Sequence, residues 1–219
     1  MGSEMCIRDR WSHVYAPLLH AKWHGCTLTD LVFPSFLFVV GLSMSQSFRN
    51  LDMADSGKLM RKITIRAGLI FLIGVLLNWF PFYLTPPSEL RIFGVLQRIA
   101  LSFFGAGILI VLLKKRNWLI AAAVLLLLLH WGILYFFGGN DPYSLENNIG
   151  RYIDLALVGE AHVYGGFGIP FDPEGLLGTL TGMSQVLAGY LIGKYLFEHQ
   201  EQTNKRILHI LYLSLGLLE

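Results

Sequence analysis

Charge is what this sequence has least of. Aspartate, glutamate, lysine and arginine make up 15% of its 219 residues, against roughly a quarter in ordinary soluble domains. Too few charges remain to coat a water-facing globule of this length. Neither sign dominates, since 17 basic against 15 acidic residues leave a formal charge of +2. That is too weak a field to hold a polyanionic backbone, so no nucleic-acid partner is expected. Cysteine is nearly absent: Cys6 and Cys26 offer no disulfide framework. Strict apolar/polar alternation is missing too, which excludes a membrane β-barrel. No internal repeat is evident.

What is abundant is apolar surface, 54% of residues, with a mean hydropathy of +0.53. Such a chain is not disordered. About 20 apolar residues cross a bilayer as a helix, and long apolar windows run over Leu31–Ser47, Ile63–Phe82, Ile92–Leu113, Trp118–Phe137 and Leu176–Phe197, with an incomplete one from Ile207 onward. The expected fold is all-α: a polytopic transmembrane helical bundle of five complete spans plus a partial sixth, with the lipid bilayer as its first partner.

Basic residues in short connections favour the cytoplasmic side. They gather in the links Arg49 to Lys62, Lys114 to Arg116, and Lys205 to Arg206. The links Phe80 to Arg91 and Gly138 to Gly175 carry one arginine each, the second against six acids. Residues 11–30 and the long connection 138–175 are therefore expected outside, in the periplasm if the membrane is a bacterial inner membrane. Nothing apolar enough precedes residue 11 to bring it there, and the last apolar run is short. The chain reads as a fragment, residues 11–219, of one larger membrane domain, with residues 1–10 (MGSEMCIRDR) a non-native leader.

The outer segments carry the chemistry. Trp11 to Asp30 reads WSHVYAPLLHAKWHGCTLTD, in which His20 and His24 would share a helix face, with His13 two turns back. Three readings stay open: an interfacial helix with solvated histidines, a zinc site, and a general base or nucleophile. The zinc reading lacks the HExxH glutamate, and no metal is expected. Asp30, at the head of the first span, suits a helix cap, or alternatively orients an imidazole; capping is favoured. Arg91 fits snorkelling to the interface, whereas Arg98, seven residues on, is expected on the same face about 10 Å deeper. A charge there marks a functional interior, together with Gln97. Asn78 and His130 are candidates to line the same cavity. Asp172-Pro173-Glu174 has the form of a helix start, and Asp154, His162 and Tyr164 complete the candidates in the long outer connection.

Taken together, HAKWHGCTLTDLVFPSFLFVVG, RIFGVLQRIA, YIDLALVGEAHVY and FDPEGLLGTL, in that order, resemble the heparan-alpha-glucosaminide N-acetyltransferase family, including its NagX-like bacterial members. The resemblance implies a transmembrane N-acetyltransferase that takes the acetyl group of cytosolic acetyl-CoA and places it on the amino group of a glucosamine-type acceptor across the membrane. It implies His20 as the catalytic histidine, as base or as nucleophile, with Asp30 beside it. His24 falls at a variable position. Phe93 stands where the family commonly has proline. Within that frame Asn78, Gln97 and Arg98 are candidate cofactor-binding donors, and Asp154, His162, Asp172 and Glu174 candidate contacts to the amino sugar. A homodimer is compatible with it. The alternative from another class is a small-solute transporter or permease, which predicts paired repeats that are not found.

Overall fold

Apolar runs of this length fold as helices because a hydrocarbon surrounding forces every backbone N–H and C=O to pair within its own segment. The computed structural model describes residues 20–198 apart from 22, 50–55, 83–85, 140 and 167. The run from Ile207, the leader and His13 lie outside the described residues. These residues contain six α-helices: α1 Val32–Arg49, α2 Ser56–Trp79, α3 Val95–Leu113, α4 Arg116–Phe137, α5 Ile149–Val158 and α6 Thr179–Glu198. Short 3-10 turns lie at Thr29–Leu31, Pro87–Glu89, Glu160–His162 and Leu176–Gly178. Among the described residues there is no strand.

Among the described residues, four stretches are long and apolar enough to cross a membrane: Thr29–Phe48, Val95–Leu113, Arg116–Phe137 and Leu176–Glu198. That is one fewer than the five complete spans expected. The exception is α2, which has the length, 24 residues, but carries Lys58, Arg61, Lys62 and Arg66 in its first three turns. Its uninterrupted apolar stretch is only Ala67–Leu77. The architecture remains that of a helical membrane protein.

α6 is the hub, packed against α1, α4 and α3, while α2 leans on α3. The α1–α6 contact is a backbone contact made possible by glycine. A Cβ on Gly41 would lie 2.1 Å from the Val186 carbonyl oxygen, and one on Gly189 would lie 2.0 Å from that of Phe38. Close approach through small residues is what drives helix association where lipid is as apolar as the side chains. Around this seam Leu37, Met44, Ile63, Phe103, Ile110, Val186 and Leu187 form the core. α4 is apolar all round, yet Leu119 is its one buried residue, and Leu125, Leu128, Trp131 and Phe136 stand exposed as a lipid-facing helix would have them.

The helices run up and down, so the connections gather at two ends. At one end Lys62 Nζ lies 3.5 Å from Ser47 Oγ, and Arg116 sits over the Tyr195 ring. At the other end meet the described residues of segments 20–30, 86–94 and 141–178. The second group is where the candidate site lies.

Candidate functional site

Residues 20–21 and 23–28 are irregular rather than helical, so His20 and His24 do not share a helix face. The organising group is the Asp30 carboxylate. Its Oδ2 accepts from Thr27 N (2.8 Å), Thr27 Oγ1 (2.9 Å) and Ala21 N (3.3 Å), and its Oδ1 is 2.7 Å from His20 Nδ1. Asp30 therefore does not cap α1: it folds the preceding loop back on itself and holds the imidazole. An ionised carboxylate only accepts, so Nδ1 carries a hydrogen, and in the neutral ring Nε2 is the nitrogen with the free lone pair. The His20 side chain is 55% exposed and that of Asp30 27%.

Two contacts moor this loop to the outer connection. Trp23 Nε1 donates to the Tyr143 carbonyl at 2.8 Å, and the indole meets Phe171 edge-on at 5.1 Å between centroids. Phe171 adjoins Asp172, so His20 and the acids of the connection belong to one assembly.

The model of the catalytic region of heparan-alpha-glucosaminide N-acetyltransferase matches residues 10–143, from before the His20 loop to the tyrosine on which Trp23 docks. The chain belongs to this family. It is 29% identical over 232 aligned residues to the heparan-alpha-glucosaminide N-acetyltransferase of Mus musculus and 28% identical over 232 to that of Homo sapiens. Each alignment takes in 84% of this chain and 35% of the relative. The chain thus spans about a third of the length of these relatives.

The rest of the site is built by two arginines before and within the first turn of α3. Because α3 starts at Val95, Arg91 lies outside it and Arg98 in its first turn. The helical register assumed between Arg91 and Arg98 therefore does not hold, because only the step from Val95 to Arg98 is helical. Arg91 does not snorkel either: its Nε and Nη2 clasp Asp172 at 2.9 and 2.8 Å, with the Asp172 side chain fully buried and the guanidinium over Tyr164 at 4.8 Å. Asp172 also accepts from Glu174 N in a local turn, but α6 begins only at Thr179, so Asp172 is no helix cap. Arg98 Nη1 reaches Glu174 Oε2 at 3.1 Å and the Pro173 carbonyl at 3.0 Å, and Nη2 reaches the Gly178 carbonyl. The two arginines staple the end of the outer connection over α3.

Beneath that staple is a cavity of about 190 Å³, lined by Arg98, His130, Asn148, Asp154, Asp172 and Thr181 among others. Asp154 comes from α5, whose start Asn148 caps by accepting from Gly150 N. Its Oδ1 accepts from Leu176 N at 2.9 Å, and Gly175 makes room: a Cβ there would fall 1.9 Å from Asp154 Oδ2. Burial, reinforced by the Asp172 charge against one stabilising backbone hydrogen bond, pushes the Asp154 carboxyl up to about 6.

The structure thus brings Arg98 and His130 together, as expected, but not Asn78. Asn78 Nδ2 donates to the Arg91 and Phe93 carbonyls at 3.1 Å, fastening the end of α2 to the approach to α3. His162 Nδ1 donates to the Leu90 carbonyl at 2.6 Å, which docks the Glu160–His162 turn on the same approach. Gln97 is 1% exposed, and neither of its amide atoms has a partner among the described residues. Sequence reasoning missed the clasp on Asp172, and it passed over Arg66, a charge inside the second apolar window.

Proposed function

We propose that this chain provides the histidine centre of a membrane N-acetyltransferase that moves an acetyl group from cytosolic acetyl-CoA to the amino group of a glucosamine-type sugar on the opposite side. α2 then makes the fifth crossing, its basic first turns at the cytosolic surface and its Asn78 end outside, and residues 20–30 and 138–175 share the outer, periplasmic side of a bacterial inner membrane. One observation carries the reading: the Asp30 carboxylate takes the Nδ1 hydrogen of an exposed imidazole, leaving Nε2 as a proton acceptor.

Acetyl-CoA supplies the acetyl group as a thioester, activated toward attack by a free amine. At neutral pH an amino sugar is partly an ammonium ion, which cannot attack until it loses a proton. Once the amine is free, His20 Nε2 takes the proton it sheds as the C–N bond forms and the C–S bond breaks, and coenzyme A leaves as its thiolate, which that proton can neutralise. Asp30 holds the ring in the tautomer this needs and stabilises the imidazolium that results. Asp154, Asp172 and Glu174 are the candidate acids for contact with an ammonium group. Of these, Asp172 and Glu174 are paired with arginine, so Asp154 is the acid with capacity to spare.

The test is acetyl transfer in proteoliposomes loaded with labelled acetyl-CoA and supplied with external glucosamine. His20→Ala is expected to abolish label on the sugar while inserting and melting like the parent. Full transfer by that variant removes the proposal, and label crossing as intact solute would favour the permease reading instead.

A further inference from the structure

α3 ends at Leu113 and α4 starts at Arg116, so Lys114 and Lys115 are the whole connection between two membrane-length helices. A turn that tight lies at the membrane surface. It puts three consecutive bases there, Lys114, Lys115 and Arg116, and all three are exposed. The end of α6 packs alongside α4. Its residues Leu191, Lys194, Tyr195 and Glu198, spaced along one helix face, close a small pocket of about 80 Å³ against Arg116. The Arg116 guanidinium stands over the Tyr195 ring at 5.7 Å, which holds the charge in place without neutralising it. No carboxylate pairs with Lys114, Lys115 or Arg116 among the described residues. The one acid in the lining, Glu198, reaches Lys194 only at 3.8 Å, with both side chains about half exposed, a pair that water largely screens. Four bases against one acid leave this patch short of anions.

Two features select the anion. The first is size: the pocket is far smaller than the roughly 300–1,000 Å³ of clefts that enclose a whole small molecule. It takes a group as small as a phosphate, and the rest of the ligand must lie outside. The second is what lies outside, which is apolar. Leu112, Trp118 and Ile120 flank the turn, Ile192 and Leu196 flank the α6 stripe, and all five are exposed. Trp118 and Tyr195 are also the aromatic types that favour the level of lipid headgroups. A molecule with phosphate at one end and hydrocarbon beyond it covers both parts of this surface. A free phosphate or a nucleotide would leave the apolar part bare. A zwitterionic headgroup brings a cation of its own among four bases, so an anionic headgroup fits better.

We propose that the α4–α6 pocket binds the phosphate of an anionic phospholipid, with Arg116 and Lys194 as its cations and Lys114 and Lys115 adding to the field. The site lies at the end of the bundle away from the His20 loop and does not depend on the acetyltransferase reading.

The test is native mass spectrometry of the full chain released from micelles that hold equal amounts of phosphatidylglycerol and phosphatidylcholine. The parent is expected to retain one phosphatidylglycerol in preference to phosphatidylcholine. At about fivefold per base near a membrane surface, Arg116→Gln combined with Lys194→Gln should lower that preference by about tenfold or more. Arg116→Lys, which keeps the charge, should retain most of it. Arg61→Gln combined with Lys62→Gln removes the same charge from exposed positions of α2, which does not line the pocket, and should leave the preference within about twofold. The inference is overturned if the parent shows no preference for phosphatidylglycerol, or if the α2 pair lowers it as much as the pocket pair, which would mean diffuse surface charge and no site. Displacement of the lipid by an excess of inorganic phosphate or coenzyme A would overturn it too, by making a soluble phosphate the ligand. So would a loss in Arg116→Lys as large as in the glutamine pair, since the charge itself would then not hold the lipid.

Discussion

Replacing Asp30 by asparagine changes one atom and tests the histidine centre directly. In the parent, Oδ2 accepts three hydrogen bonds from Thr27 and Ala21, and Oδ1 accepts the His20 Nδ1 hydrogen. Asparagine has one acceptor oxygen and one donor nitrogen, so it can satisfy only one side. Three bonds outweigh one, and the oxygen should take the loop N–H and O–H groups while the amide NH₂ faces the imidazole. His20 must then accept at Nδ1 and carry its hydrogen on Nε2, where it can no longer take a proton. Reaching the competent tautomer means turning the amide over and leaving the loop donors facing a donor. At about 1–1.5 kcal/mol per bond, plus the cost of unsatisfied partly buried groups, that is roughly 3–5 kcal/mol, or a rate loss of about 10² to 10⁴. The exposure of both side chains lets water offset part of this, so the lower half of the range, roughly a hundredfold to a thousandfold, is expected. Acetyl transfer at saturating substrate measures the loss, and ¹⁵N chemical shifts of the His20 ring report the tautomer independently. Asp30→Asn with transfer within threefold of the parent and hydrogen still on Nδ1 would refute the reasoning.

Three further outcomes follow from the packing. Gly189→Ala puts a methyl carbon 2.0 Å from the Phe38 carbonyl, forcing α1 and α6 apart at a cost of about 1–3 kcal/mol; a lower melting temperature in detergent checks this, with Gly68→Ala, which meets nothing within 4 Å, as the harmless control. Arg91→Gln leaves the buried Asp172 charge without its bidentate partner and should cost about 3–5 kcal/mol, seen as a large fall in denaturation midpoint, and Asp172→Asn in the same chain should recover part of it. The Asp154 carboxyl titrates at about 6 in the folded state against an ordinary 3.8, so the folded protein holds the proton more tightly. Its contribution is therefore full below pH 4 and is lost as pH rises to about 6, by about 3 kcal/mol in all. Asp154→Asn should remove that slope from stability measured between pH 4 and 7, and an unchanged slope would refute the assignment.

Sequence alone determined the helical class and the membrane setting, because these depend on a local quantity, hydropathy over a window of about 20 residues. It placed His20, Arg98 and the acids of the outer connection at one end for the same reason. It misjudged the groups whose role is set by distant partners. Asp30 and Asp172 both have the local form of helix caps, and both are instead spent on side chains, ten residues back on His20 and across the bundle on Arg91. The helical register expected between Arg91 and Arg98 fails because α3 begins at Val95, after an approach tied down by Asn78 and His162. Only the tertiary structure decided the backbone seam between Gly41 and Gly189, the cavity that raises Asp154, and the groove between α1 and α2 that Arg66 lines. Each depends on which helix faces which across the bundle, and a one-dimensional pattern of apolar residues that are equally at home against lipid or protein does not encode that choice.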